Sequence, residues 1–162
     1  MTRARAGGRG IKSDRAPRVR PSEDAMAKIL VAAAPEPRAI VERILAGHEL
    51  VCAETLAQAV QFLRGQSFDL IICTIVFDES RMFELLALAK SNPAWQRIPF
   101  ACARVRPNIF RFPTSVRATG FTCRELGAEA FLDIADYQAD PEREMREAIE
   151  RMLDATSRAD AG

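Results

Sequence analysis

The sequence predicts an α/β domain, (βα)5, with a five-stranded parallel sheet and helices on both faces. Three observations carry that expectation. Short, nearly continuous apolar runs recur five times between residues 28 and 134, as strands buried on both faces should. Longer stretches with apolar residues at helical spacing separate them, and that alternation belongs to parallel sheets with crossover helices. Caps and breakers fall at the junctions between the two kinds of segment.

The elements follow in order. "KILVAA" (28–33) is the first strand. Pro35 to Ala46 then places Ile40, Val41, Ile44 and Leu45 at helical spacing, and Gly47 stops the helix. "HELVCA" (48–53) is the second strand, followed by Thr55 and Gln58 in a capping-box pattern ahead of Leu56, Ala59, Val60, Phe62 and Leu63, with Gly65 as the stop. "FDLIICT" (68–74) is the third. Residues 79 to 90 carry Met82, Phe83, Leu85, Leu86 and Leu88, and "SNP" ends that helix. "IPFACA" (98–103) is the fourth strand. The link after it contains Pro107, Pro113 and Gly120, which predicts a loop around residues 105 to 113 and then a helix ending near Leu126. "EAFLDI" (129–134) is the fifth strand. Asp140 as cap and Pro141 in the first turn announce the last helix. The domain is expected to span 26–157, leaving 158–162 as a disordered tail.

Composition narrows the function classes. A chain of 162 residues, 48% hydrophobic and 28% charged, holds one good core. Its net charge of +1 predicts no strong pull toward nucleic acid or membrane as a whole. The charge is unevenly spread: residues 1–25 hold seven basic and three acidic side chains, a net of +4, and the remainder is therefore −3. That arm is rich in Arg, Gly and Pro and nearly free of large apolar residues, so it is expected to be disordered. It reads as a basic arm for nucleic acid or an acidic partner, or as a solvated segment ahead of a domain start at Met26. Cys52, Cys73, Cys102 and Cys123 lie far apart in sequence, with no CxxC pair, and His48 is the one histidine. No zinc site is expected from that spacing, and three of the four cysteines read as core residues of a reduced, cytoplasmic protein. No run approaches the length of a membrane helix, and the start lacks a secretory h-region. His48 has no expected acidic partner and reads as a surface residue.

Four phrases in order, "KILV", "FDLIIC", "IPF" and "LGAEAFLD", resemble the receiver domain of bacterial two-component response regulators over residues 27–156. The resemblance implies a flavodoxin-like (CheY-like) fold. It also implies an acidic pair after the first strand and an aspartate ending the third, which together bind Mg²⁺, the aspartate accepting a phosphoryl group. A hydroxyl after the fourth strand and a lysine after the fifth hold the phosphoryl oxygens. Matched position by position, this chain has Ala33 and Ala34 for the acidic pair, Thr74 for the acceptor, Arg104 for the hydroxyl and Ile134 for the lysine. Alanines cannot hold a hard cation, and a threonine without a base is a poor nucleophile.

No catalytic motif is present, so the expected function is non-enzymatic and free of metal and cofactor: a non-phosphorylatable pseudo-receiver serving as a protein–protein interaction module in bacterial signal transduction or cell organisation. Glu36, Asp78, Glu79 and Asp133 are expected near the same sheet edge, two or three of them as a displaced cation site, or with Glu36, Asp78 and Glu79 as charges at helix N-termini. Phe131 stands at the family's aromatic switch position, or simply in the core. "RVRPNIFRFP" mixes Arg106, Phe110, Arg111 and Phe112 in a long link, residue types favoured at binding hot spots. The alternatives are that these phenylalanines pin the loop, or that the arm and the 104–112 loop bind nucleic acid by phosphate contact and stacking. The partner is expected to be another protein, or a second copy through the helix 4–strand 5–helix 5 face. Modification of Thr74 by a Ser/Thr kinase is disfavoured by its position at a buried strand end.

Overall fold

The computed structural model describes residues 26–107 and 113–161, with the side chains of 113, 114 and 161 outside the description. Five strands, β1 (Lys28–Ala32), β2 (Glu49–Ala53), β3 (Leu70–Thr74), β4 (Phe100–Arg104) and β5 (Ala130–Asp133), form one sheet in the order β2-β1-β3-β4-β5. Every pairing is parallel. This is the flavodoxin-like order, whose switch point lies between β1 and β3. The expected fold class is the observed one.

The helices are α1 (Pro35–Ile44), α2 (Leu56–Gly65), α3 (Met82–Ser91), α4 (Pro113–Glu125) and α5 (Pro141–Ala161). Strand alternation sorts the core into two layers. On one face Ile71, Cys73, Phe100 and Cys102 pack with Ala59 and Leu63 of α2, Leu85, Leu86 and Ala89 of α3, and Cys123 of α4. On the other Leu70, Ile72, Ala101 and Ala103 pack with Val41 and Ile44 of α1 and with Met145, Ile149 and Leu153 of α5. The capping box at Thr55 forms as expected, with Gln58 N–H donating to the Thr55 hydroxyl and the Gln58 side chain accepting from the Thr55 backbone.

Three expectations change. The α3 helix starts at Met82 because Asp78, Glu79 and Ser80 adopt φ of 45°, 57° and 72°, a left-handed run unusual for residues with side chains. Phe77, fully buried, anchors that turn, and the Asp78 carboxylate accepts from Leu56 N–H at 2.8 Å, capping α2 from outside. At the other end, α5 continues through residues 158–161, which the sequence places in a disordered tail. Its last deeply buried residue is Leu153, so the final two turns extend as a polar helix.

His48 is the third. Its side chain is 2% exposed. Nδ1 accepts from Ala27 N–H at 2.9 Å, which leaves the proton on Nε2 to donate to Glu150 at 2.7 Å. Arg146 holds the same carboxylate at 3.4 Å and donates to the carbonyls of Ile44 and Ala46 at the end of α1. The expected surface histidine instead ties the root of β1 to α5, by a partner 102 residues away.

Candidate functional site

Open α/β sheets place their sites beyond the carboxyl ends of the strands, and here the ends of β1, β3, β4 and β5 deliver the five positions compared above. Ala33 continues β1 and is fully buried. Ala34 is the N-cap residue of α1 and provides no side-chain cap. Thr74 ends β3, 2% exposed, and its hydroxyl has no hydrogen-bond partner among the described residues. Arg104 ends β4 and Ile134, also buried, opens a single 3₁₀ turn after β5 (Ile134–Asp136).

Arg104 is the centre of the arrangement. The β4–β5 register sets it directly beside Asp133. Both residues lie on the same side of their strands as Phe100 and Phe131. Its Nη2 donates to the Asp133 carboxylate at 3.0 Å, and the two side chains are 7% and 6% exposed. Asp133 uses its other oxygen to accept from Ala135 N–H at 3.0 Å, capping the 3₁₀ turn. Arg104 Nη1 donates to the Pro107 carbonyl in the loop that follows β4. One guanidinium therefore joins the ends of β4 and β5 to the link leading into α4. Its Nε is buried without a partner among the described residues.

Arg106 in the same loop forms an ion pair with Glu36 in the first turn of α1. The contact holds the Glu36 carboxyl below its ordinary value and raises Arg106, in each case chiefly through the shared hydrogen bond. This bridge spans the strand ends from the β1 side to the β4 side. The cavity beneath it, lined by Thr74, Arg104 and Arg106 among others, measures about 10 Å³, the room of a single water.

The four acidic residues expected near this edge do not converge. Glu36 is bound to Arg106, Asp78 to Leu56 N–H and, at 3.9 Å, to Arg81, and Asp133 to Arg104. Glu79 is exposed in the left-handed turn. Among the described residues no cluster of three His, Cys, Asp or Glu could hold a metal ion. The Mg²⁺ implied by the resemblance does not fit these residues. Two alanines and a neutral hydroxyl supply no charge, and the nearby carboxylates of Asp133 and Glu36 each already face an arginine.

The proposed partner residues are divided. Arg106 is held by Glu36, and Phe110, Arg111 and Phe112 lie outside the described residues. Phe131 is half-buried against the α2–α3–α4 layer. A Cβ built on Gly120 of α4 would meet its ring at 3.1 Å, so glycine permits the close approach of α4 to β5. Phe121, next in sequence, is 64% exposed, and Arg117 and Arg124 lie on the same outer face of α4. Sequence reasoning missed Phe121; its place one residue after a breaker was the available signal.

It placed three cysteines in the core, as observed, but did not group them. Cys73 and Cys102 are register partners on β3 and β4, and Cys123 packs on them from α4. All three are free and fully buried. Each thiol acts on the other, raising Cys102 and lowering Cys123. Cys73 is raised by burial.

No family model matches the sequence, and no curated protein is similar to it. Solved structures share the fold. A cyanobacterial phytochrome response regulator, RcpA, in its phosphorylated form superposes with a TM-score of 0.63 and 20% identity, covering 82% of this chain and 96% of that one. The receiver domain of a signal transduction histidine kinase from Syntrophus aciditrophicus gives 0.62 and 22%, covering 80% and 91%. A CheY-like receiver domain protein from Methanospirillum hungatei gives 0.60 and 17%, covering 83% and 98%. These neighbours are receiver domains, and the chain has their fold. Among the described residues no helix is long and apolar enough to cross a membrane.

Proposed function

We propose that the chain is a receiver-fold module that takes no phosphoryl group and acts by binding a protein partner in bacterial signalling or cell organisation, in the cytoplasm. The buried Arg104–Asp133 pair carries the reading. A phosphoryl switch needs a group after β4 that is free to turn toward a newly made anion. Here that position holds a guanidinium already committed to Asp133 and to the Pro107 carbonyl. Pro107, at the start of the link toward α4, is thus tied through Arg104 to a permanent internal anion. Thr74 adds no acceptor chemistry, since no base contacts its hydroxyl.

A fixed arrangement suits constitutive binding. The α4–β5–α5 side supports this, because β5 is an edge strand and α4 displays Phe121 between Arg117 and Arg124. Aromatic and arginine side chains are favoured anchors in interfaces. The partner on this reading is another protein, with a second copy of the chain as the alternative occupant.

Capture of partners from the native host tests it. The wild type should retain the same protein whether or not acetyl phosphate and Mg²⁺ are present. A Phe110→Ala/Phe112→Ala variant and a Phe121→Ala variant separate the loop from the helix face as the contact. Capture that depends on acetyl phosphate would overturn the proposal. Salt-dependent binding to oligonucleotides, lost on removing residues 1–25, would replace it with a nucleic-acid adaptor.

A further inference from the structure

Helices α2 and α3 leave a groove between them. One stretch, of about 750 Å³, has Leu56, Val60 and Leu88 as its apolar floor. A second, of about 580 Å³, continues past the end of α2 over Phe68, Trp95 and Ile98. Arg64 borders both, so the two form one channel. Leu56, Val60 and Arg64 recur every fourth position, which makes them one face of α2, about 12 Å long. Leu56, Val60, Leu88 and Ile98 pack on the core with part of each side chain still exposed.

The groove is preformed. Asp78, in the left-handed turn before α3, accepts from Leu56 N–H at 2.8 Å and stands 3.9 Å from Arg81. The N-terminal ends of both walls are thereby held together, and a surface already in shape costs less to bind. The turn itself, with three consecutive positive φ values, is strained in the way that binding sites often are. Charge gives the groove its sign. Asp78 and Arg81 offset each other, whereas Arg64 and Arg97 are exposed and have no ion-pair partner among the described residues. The chain enters the domain close by, since Lys28 Nζ sits 5.7 Å from the Phe68 ring. Residues 1–25 carry +4, however. That is the sign of the two arginines, so the arm is not the occupant.

We propose that the α2–α3 groove takes an amphipathic helix of a partner protein, its apolar stripe on Leu56, Val60 and Leu88 and its acidic residues facing Arg64 and Arg97. Resting on the reading of the chain as a protein-binding module, this contact is a second surface beside the α4 face and specifies the partner's chemistry. The apolar floor supplies affinity, and the unpaired arginines select an acidic helix over a basic one.

The full chain, labelled with ¹⁵N, is titrated with a synthetic amphipathic helix of about 16 residues that bears a leucine stripe flanked by glutamates. Two control peptides carry lysine in place of glutamate, or the same residues in scrambled order. The acidic helix should shift amides of α2 and α3 centred on Val60, Arg64 and Leu88. It should bind about fivefold or more tighter than either control. Arg64→Glu, at an exposed position, should keep the fold and move the preference toward the lysine peptide. The proposal is overturned if the acidic helix shifts nothing, if the shifts gather on α4 around Phe121, or if Arg64→Glu leaves the preference unchanged. It is also overturned if concentrating the chain alone produces the α2–α3 shifts, which would make a second copy the occupant. A silent groove together with partner capture that ignores acetyl phosphate removes this contact and leaves the protein-binding reading. Capture that depends on acetyl phosphate removes the reading itself.

Discussion

Replacing Asp133 by alanine tests the structural heart of the account, because it strands a buried cation. Asp133 is 6% exposed and holds Arg104, 7% exposed, at 3.0 Å. Without the carboxylate, Arg104 keeps its bond to the Pro107 carbonyl, but its charge stays inside the domain. Removing one member of a buried pair costs about 3–5 kcal/mol. Against a typical domain stability of about 5–15 kcal/mol, that is a large fraction. With about 3–5 °C of Tm per kcal/mol at this size, the variant should melt roughly 10–20 °C lower. The double variant Arg104→Leu/Asp133→Leu removes both charges and should lie within about 1 kcal/mol of wild type, since buried pairs often tolerate apolar replacement. Urea unfolding followed by circular dichroism measures both. A single Asp133→Ala loss below about 1 kcal/mol would refute the reasoning, for it would mean that water already screens the pair.

Other consequences follow from neighbouring contacts. Thr74→Val exchanges an unpartnered buried hydroxyl for a methyl and should raise the unfolding free energy read from urea titration by about 1 kcal/mol or somewhat more; a loss would mean that the hydroxyl has a partner. His48→Ala removes the bonds to Ala27 N–H and Glu150 and should cost about 2 kcal/mol, with the Ala27 amide exchanging faster with solvent. The Arg43 hydrogen bond holds the Glu142 carboxyl below its ordinary value of 4.5, and Glu36 is lowered by Arg106. A depressed folded pKa stabilises above the unfolded value and is lost as pH falls through the folded one. Stability should therefore decline on acidification below about pH 4.5, less steeply in Glu142→Gln, as read by Tm across a pH series.

The fold was legible because its signals are local. Continuous apolar runs such as "DLIIC" announce buried strands, and Thr55 with Gln58 fixes the start of α2 within four residues. The positions compared with the receiver family were legible too, since Ala33, Ala34, Thr74 and Ile134 sit against flanking runs that fix the register. The contacts made around them were not legible. Arg104 and Asp133 are 29 residues apart and meet only through β4–β5 pairing. Cys73, Cys102 and Cys123 look scattered along the chain, yet a parallel sheet stacks the first two and a crossover helix delivers the third. His48 hid its role for the same reason. The start of α3 was misplaced because three residues with side chains adopt the left-handed region, which no local propensity favours.

The most direct test of the central claim is an amide ¹H–¹⁵N spectrum of the full chain, recorded before and after beryllofluoride or acetyl phosphate with Mg²⁺. The account predicts superimposable spectra for the wild type. It predicts the same for Thr74→Asp, because the alanines at 33 and 34 and the committed guanidinium at 104 leave neither a metal site nor a free switch group. Shifts localised to residue 74, Arg104 and the loop leading into α4 would contradict it.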